Sequence, residues 1–65
     1  MRKYVLIGHR TSSRKFVTVH LIDANDDVSA MAKLVEMIAD NEFDDCHDVT
    51  VWDVVENMRC FTVSL

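Results

Sequence analysis

The chain has no proline, a single glycine, two cysteines and 8% aromatic residues in 65 positions. With Gly8 as the only glycine there is no linker, repeat or low-complexity tract, and residues 1–65 read as one compact domain. Cys46 and Cys60 are too few for a disulfide framework and lack the paired CxxC spacing of a redox or zinc motif. No apolar run approaches the roughly 18 residues that span a bilayer. The basic start turns polar after Ile7, so it lacks the apolar stretch of a secretory leader. These absences predict a cytoplasmic protein in a reducing compartment, away from membranes. A chain this short buries only about 60% of the surface that its unfolded form exposes, which leaves a thin core and little volume for a walled catalytic pocket.

What the chain does have is a division of charge. Residues 1–22 carry Arg2, Lys3, Arg10, Arg14 and Lys15 and no acid, whereas residues 23–65 carry eleven acids against Lys33 and Arg59. The formal net charge is −4, which argues against a dominant nucleic-acid role and predicts a bipolar molecule.

Periodicity supplies the elements. Tyr4, Val5, Leu6 and Ile7 are a β-prone run closed by Gly8, and the polar stretch 9–14 reads as a turn. Residues 16–22 alternate, with Val17, Val19 and Leu21 opposite Phe16, Thr18, His20 and Ile22. Asn25 and Asp26 are the best N-cap candidates for a helix in which Val28, Met31, Val35 and Ile38 recur at helical spacing. Its polar stripe is Ser29, Lys33, Glu36 and Asp40, while Ala30, Leu34 and Met37 widen the apolar side beyond what one sheet contact requires. Val49, Val51 and Val55 then alternate with Thr50, Trp52 and Val54, and Asp53 falls awkwardly in the first set. Glu56 and Asn57 form a turn before an alternating strand over residues 58–65. The order β-β-α-β-β predicts an α+β fold, a four-stranded, mainly antiparallel sheet with one helix packed on one face. The other face, carrying some of Tyr4, Phe16, His20, Ile22, Trp52, Val54 and Cys60, would be uncovered and available for a partner or a homodimer.

Four candidate sites follow. Glu36, Asp40, Glu42, Asp44, Asp45 and Asp48 form an acidic run without intervening cations, partly at the helix C-terminus, where the dipole disfavours anions by about 0.3–1 kcal/mol each. It suits a basic partner surface, or simply solvates a loop. With this run, Phe16, Trp52 and Met37 are the candidate protein-binding residues, the aromatics because such side chains dominate interface centres. The hairpin tip, with His9, Arg10, Thr11, Ser12, Ser13, Arg14 and Lys15, mixes cations and hydroxyls that suit phosphate but lacks a glycine-rich strand-to-helix setting. Asp44, Cys46, His47, Asp48 and Cys60 are metal-ligand types without metal spacing, and the calcium-loop pattern fails at Asp45 and Val51, so no metal or cofactor is expected. Nothing in the placement of the serines and histidines favours a catalytic triad, and no enzyme activity is expected.

The whole pattern, a strand pair, an acid-capped helix beginning DANDDVSAMAKL and a closing strand pair, resembles the short single-domain accessory proteins of bacteriophages and mobile elements. That resemblance implies binding that blocks or redirects a host defence, restriction or transcription protein. The expectation is a non-enzymatic, stoichiometric protein-binding module working through the acidic region or the uncovered sheet face. The alternatives are a nucleic-acid or nucleotide binder using the basic tip and a small subunit of a larger assembly.

Overall fold

The computed structural model describes residues 1–10 and 17–65. Strands β1 (Arg2–His9) and β2 (Val17–Ala24) precede helix α1 (Asp27–Ala39), which is followed by β3 (Asp48–Asp53) and β4 (Met58–Ser64). The strands form one antiparallel sheet in the order β2-β1-β3-β4, an α+β fold with a single helix among the described residues. Both hairpins are joined through their first strands, so β1 and β3 occupy the centre. β1 outruns its apolar stretch at both ends because it is paired on two sides: Arg2 lies opposite Ala24, and His9 opposite both Val17 and Asp48.

The core gathers Tyr4 and Leu6 from β1, Ala24 from β2, Ala30 and Leu34 from α1, Phe43 from the following loop, and Val49 and Val51 from β3. Ile22, Met31, Met37, Ile38, Phe61 and Val63 pack against it half-buried. Asp26 caps the helix as its pattern predicts, accepting the Ser29 N–H at 2.8 Å. The helix face that enters the core is the one centred on Ala30, Leu34 and Met37, whereas Val28 and Val35 stay 78% and 57% exposed. An apolar flank of Val28, Ala32, Val35 and Ala39 therefore remains on the outside.

Glycine scarcity is solved by other residues. Asn41 after the helix, Asp45 in the next loop and Asn57 in the β3–β4 turn all adopt φ between 53° and 69°. Asn and Asp tolerate this left-handed region better than other residues with a Cβ. Gly8 serves a different purpose from the strand-closing role its freedom suggests. It is buried inside β1 without positive φ, and an added Cβ would sit 2.6 Å from Cys46 Sγ and 3.0 Å from Phe43 Cδ1. The strand is bare there so that the loop after α1 can close over it.

Asp53 explains its own awkward phase. It ends β3 on the core side, 2% exposed, with Oδ1 accepting the N–H groups of Val55 (2.9 Å) and Glu56 (3.1 Å). That carboxylate turns the chain, so Val54 and Val55 leave the sheet and are exposed.

Candidate interaction surface

The helix lies on one face of the sheet; on the other, among the described residues, Val19, Leu21 and Trp52 are exposed. Registers place Leu21, Val5, Trp52 and Arg59 in one row across the four strands of the open face, and Val19, Ile7, Thr50 and Thr62 in the next. Val19 and Leu21 are 59% and 63% exposed, Trp52 is 37% exposed, and Val5 and Ile7 are half-buried between them. Thr50 and Thr62 meet at 3.4 Å through their hydroxyls. Polar contacts close two corners: the ion pair of Lys3 Nζ with Asp23 Oδ1 at 2.9 Å, and the hydrogen bond between His9 Nδ1 and Asp48 Oδ1 at 2.9 Å. The result is an apolar centre of β-branched and aromatic groups inside a charged margin, the anatomy of a contact surface.

This surface has a different membership from the one expected. Tyr4, His20, Ile22 and Cys60 are turned to the helix side, where Tyr4 is fully buried and Ile22 and Cys60 pack against the core. The regular Val19 and Leu21 set, which looks like a core face, points outward instead. Trp52 does lie on the open face; Phe16 is outside the described residues. Met37 is half-buried against the core, so its side chain is largely committed to the fold.

The acidic run is divided by its partners. Asp45 takes Arg10 at 2.8 Å, Asp48 takes His9, and Glu42 Oε2 stands 3.7 Å from His20 Nε2. Glu36, Asp40 and Asp44 are exposed, with Asp40 at the helix C-cap. With Arg2 on Asp53, Lys3 on Asp23 and Arg10 on Asp45, three cations of the first half of the chain pair with acids of the second, while Arg14 and Lys15 lie outside the described residues. Of the tip, Arg10 is held by Asp45, while Ser12, Ser13, Arg14 and Lys15 lie outside the described residues.

The candidate ligands for metal separate as well. Cys46 packs beside Gly8, and Cys60 stands near Asp27, 3.8 Å from its Oδ1, at the level of Tyr4 and Asp53. Four residues of strand between these levels amount to roughly 13 Å, so both cysteines are free thiols without a common site. Asp27, Asp53 and Cys60 instead bring ligand atoms within 4.8 Å of one another, a grouping that no spacing in the sequence announces. The tertiary fold engages these groups already: Tyr4 Oη donates to Asp27 at 2.9 Å, and Arg2 and two turn amides hold Asp53. Burial first, then the Asp27 and Asp53 charges, pushes the Cys60 thiol pKa up, so the thiol stays protonated. Beside this cluster Arg2, Asn25, Asp26, Asp27 and Val28 line an open depression of about 350 Å³.

No protein family, curated protein or solved structure matches the chain. Among the described residues, no helix is long and apolar enough to cross a membrane.

Proposed function

We propose that this chain is a non-enzymatic binding module that acts stoichiometrically on a protein partner, through the open sheet face centred on Val5, Leu21 and Trp52. The observation that carries it is the exposure of Val19, Leu21 and Trp52 together on one side of a sheet whose other side is covered. Apolar groups gathered on one surface gain most by excluding water against a matching surface, and Trp is the residue type that most often dominates such contacts. The exposed Glu36, Asp40 and Asp44 give the partner a second, electrostatic handle that steers rather than holds. The resemblance to phage and mobile-element accessory proteins extends the proposal to a host protein as the target. The free thiols Cys46 and Cys60 fit a cytoplasmic setting.

The test is affinity capture from the native host lysate with wild type, Trp52→Glu and Leu21→Lys side by side. A protein held by wild type, retained in high salt and lost with both variants supports the reading. Capture that is unchanged by both substitutions, or that vanishes in salt and follows Arg10, Arg14 and Lys15, rejects it in favour of phosphate recognition by the tip.

A further inference from the structure

Alternation along β2 puts His20 on the helix side of the sheet with Thr18 and Ile22, opposite Leu6 of β1. Its ring stands edge-on to Phe43, with centroids 5.2 Å apart and planes at 74°. The ring atom Nε2 is buried and has no hydrogen-bond partner among the described residues. Glu42 Oε2 lies 3.7 Å away, beyond hydrogen-bond length. A buried ring nitrogen left unbonded is costly, and this one has a carboxylate a short movement from it. Glu42 is free to make that movement: its side chain is 47% exposed, while its N–H is fixed to the Met37 carbonyl at 2.9 Å just after α1. The same segment sets Phe43 in the core and brings Cys46 onto the bare Gly8, with the Cys46 N–H donating to the Phe43 carbonyl at 3.0 Å. What joins His20 to Glu42 therefore also holds this segment against the sheet.

We propose that His20 and Glu42 form an acid-closed clasp that ties the segment after α1 to β2. An imidazole changes charge between about pH 5 and 8. Carrying both protons, the ring presents Nε2–H as a charged donor towards an anion, and a charge-assisted hydrogen bond of about 2.7–2.9 Å closes the gap. Carrying one, it meets the carboxylate without that attraction and the clasp is open. The unfolded chain gives the ring no such partner, so the stabilisation is complete in mild acid and is lost as pH rises and the ring gives up its second proton. The surroundings leave Glu42 to act alone. Leu6 of β1, Thr18 and Ile22 of β2, and Phe43 carry no charge. On α1, Lys33 donates to the Asp23 carbonyl, and Glu36 and Asp40 are exposed, as is Asp44 beyond it. Asp45 is paired with Arg10. Among the described residues Glu42 is the charged group that comes within ion-pair distance of the ring. The carboxylates of Asp23, Asp26 and Asp53, held below 3.8, titrate in a more acid range and do not overlap the clasp.

A double-mutant cycle run at two pH values tests the clasp. Urea denaturation of wild type, His20→Gln, Glu42→Gln and the double variant should give a coupling of about two- to fivefold in the unfolding equilibrium constant near pH 5.5, and none near pH 8. Amide exchange places the effect: the Glu42 and Cys46 N–H groups of wild type should gain protection on acidification beyond the change in intrinsic exchange rate, and Glu42→Gln should abolish that gain. A coupling that is the same at both pH values, or absent from both, overturns the proposal. So does an acid gain in protection that survives Glu42→Gln. Should His20→Gln fail to fold, Glu42→Gln decides: the stability difference between it and wild type must move in favour of wild type by the same factor on acidification, and no movement refutes the clasp.

Discussion

Arg2 and Asp53, 51 positions apart in the sequence, form a 2.8 Å ion pair that ties the start of β1 to the end of β3. The carboxylate is 2% exposed in its side chain and the guanidinium 49%. Asp53 thus faces two ways, one oxygen on the arginine and the other on the turn amides that begin the second hairpin. A single buried charge fixes both the junction of the two hairpins and the geometry of the turn.

Acid stability should depend on this residue. The Glu56 N–H, then Arg2 and the Val55 N–H, hold Asp53 below its ordinary pKa of 3.8, against the opposing effect of burial. Lys3 does the same for Asp23, and the Ser29 N–H for Asp26. A lowered folded-state pKa contributes stability that is complete above 3.8 and is lost as pH falls from there through the folded value. Urea denaturation at a series of pH values should show stability falling in that range. Asp53→Asn should be less stable at neutral pH and show a shallower fall; an unchanged slope would contradict the assignment.

Tyr4 predicts the opposite, alkaline behaviour. Burial first, then its hydrogen bond to Asp27, raises the phenol from 10.0 to about 12. The neutral phenol's contribution is complete below pH 10 and is lost as pH rises through about 12. Because Tyr4 is the chain's one tyrosine, absorbance at the phenolate wavelength reads this group alone. The folded protein should show no phenolate near pH 10, and Asp27→Asn should bring the midpoint down. A wild-type midpoint at the ordinary value would refute the buried placement.

Gly8→Ala tests the closure of the loop on β1. In an open strand position alanine would stabilise relative to glycine. Here the new Cβ meets Cys46 Sγ at 2.6 Å, and overpacking should cost about 1–3 kcal/mol. Cys46→Ala in the same chain should recover most of that loss, giving a coupling that a double-mutant cycle measures. Purely additive effects would mean the two residues do not touch.

The orientation of α1 separates two adjacent residues. Leu34 is fully buried and Leu34→Ala should cost about 2–5 kcal/mol. Val35 is 57% exposed, and Val35→Lys should change stability by no more than about 0.5 kcal/mol. Paired urea titrations check the contrast; similar losses would rotate the helix back to the phase that its strictest apolar spacing suggests.

How far the residues announce the site can be judged from particular positions. Asp26 is legible as an N-cap because a short acceptor before helical spacing is a local signal, and Asn57 as a turn residue because its tolerance of positive φ is local too. The buried face of β2 is not legible, since Val19 and Leu21 are as apolar as Ile22 and alternation marks two sets without saying which is inside. The grouping of Asp27, Asp53 and Cys60 is invisible for a related reason: its members come from three different elements.

The order of strands and helix, the cap and the Glu56–Asn57 turn were therefore determined by the sequence alone, because each depends on neighbours within a few residues. Tertiary structure decided which side of the sheet lies under α1, which carboxylates answer the cations of β1, and why Gly8 has no side chain. Those outcomes depend on groups brought together by pairing β1 with both β2 and β3. Burial is settled by the whole set of contacts that excludes the most water, and no single strand carries that information.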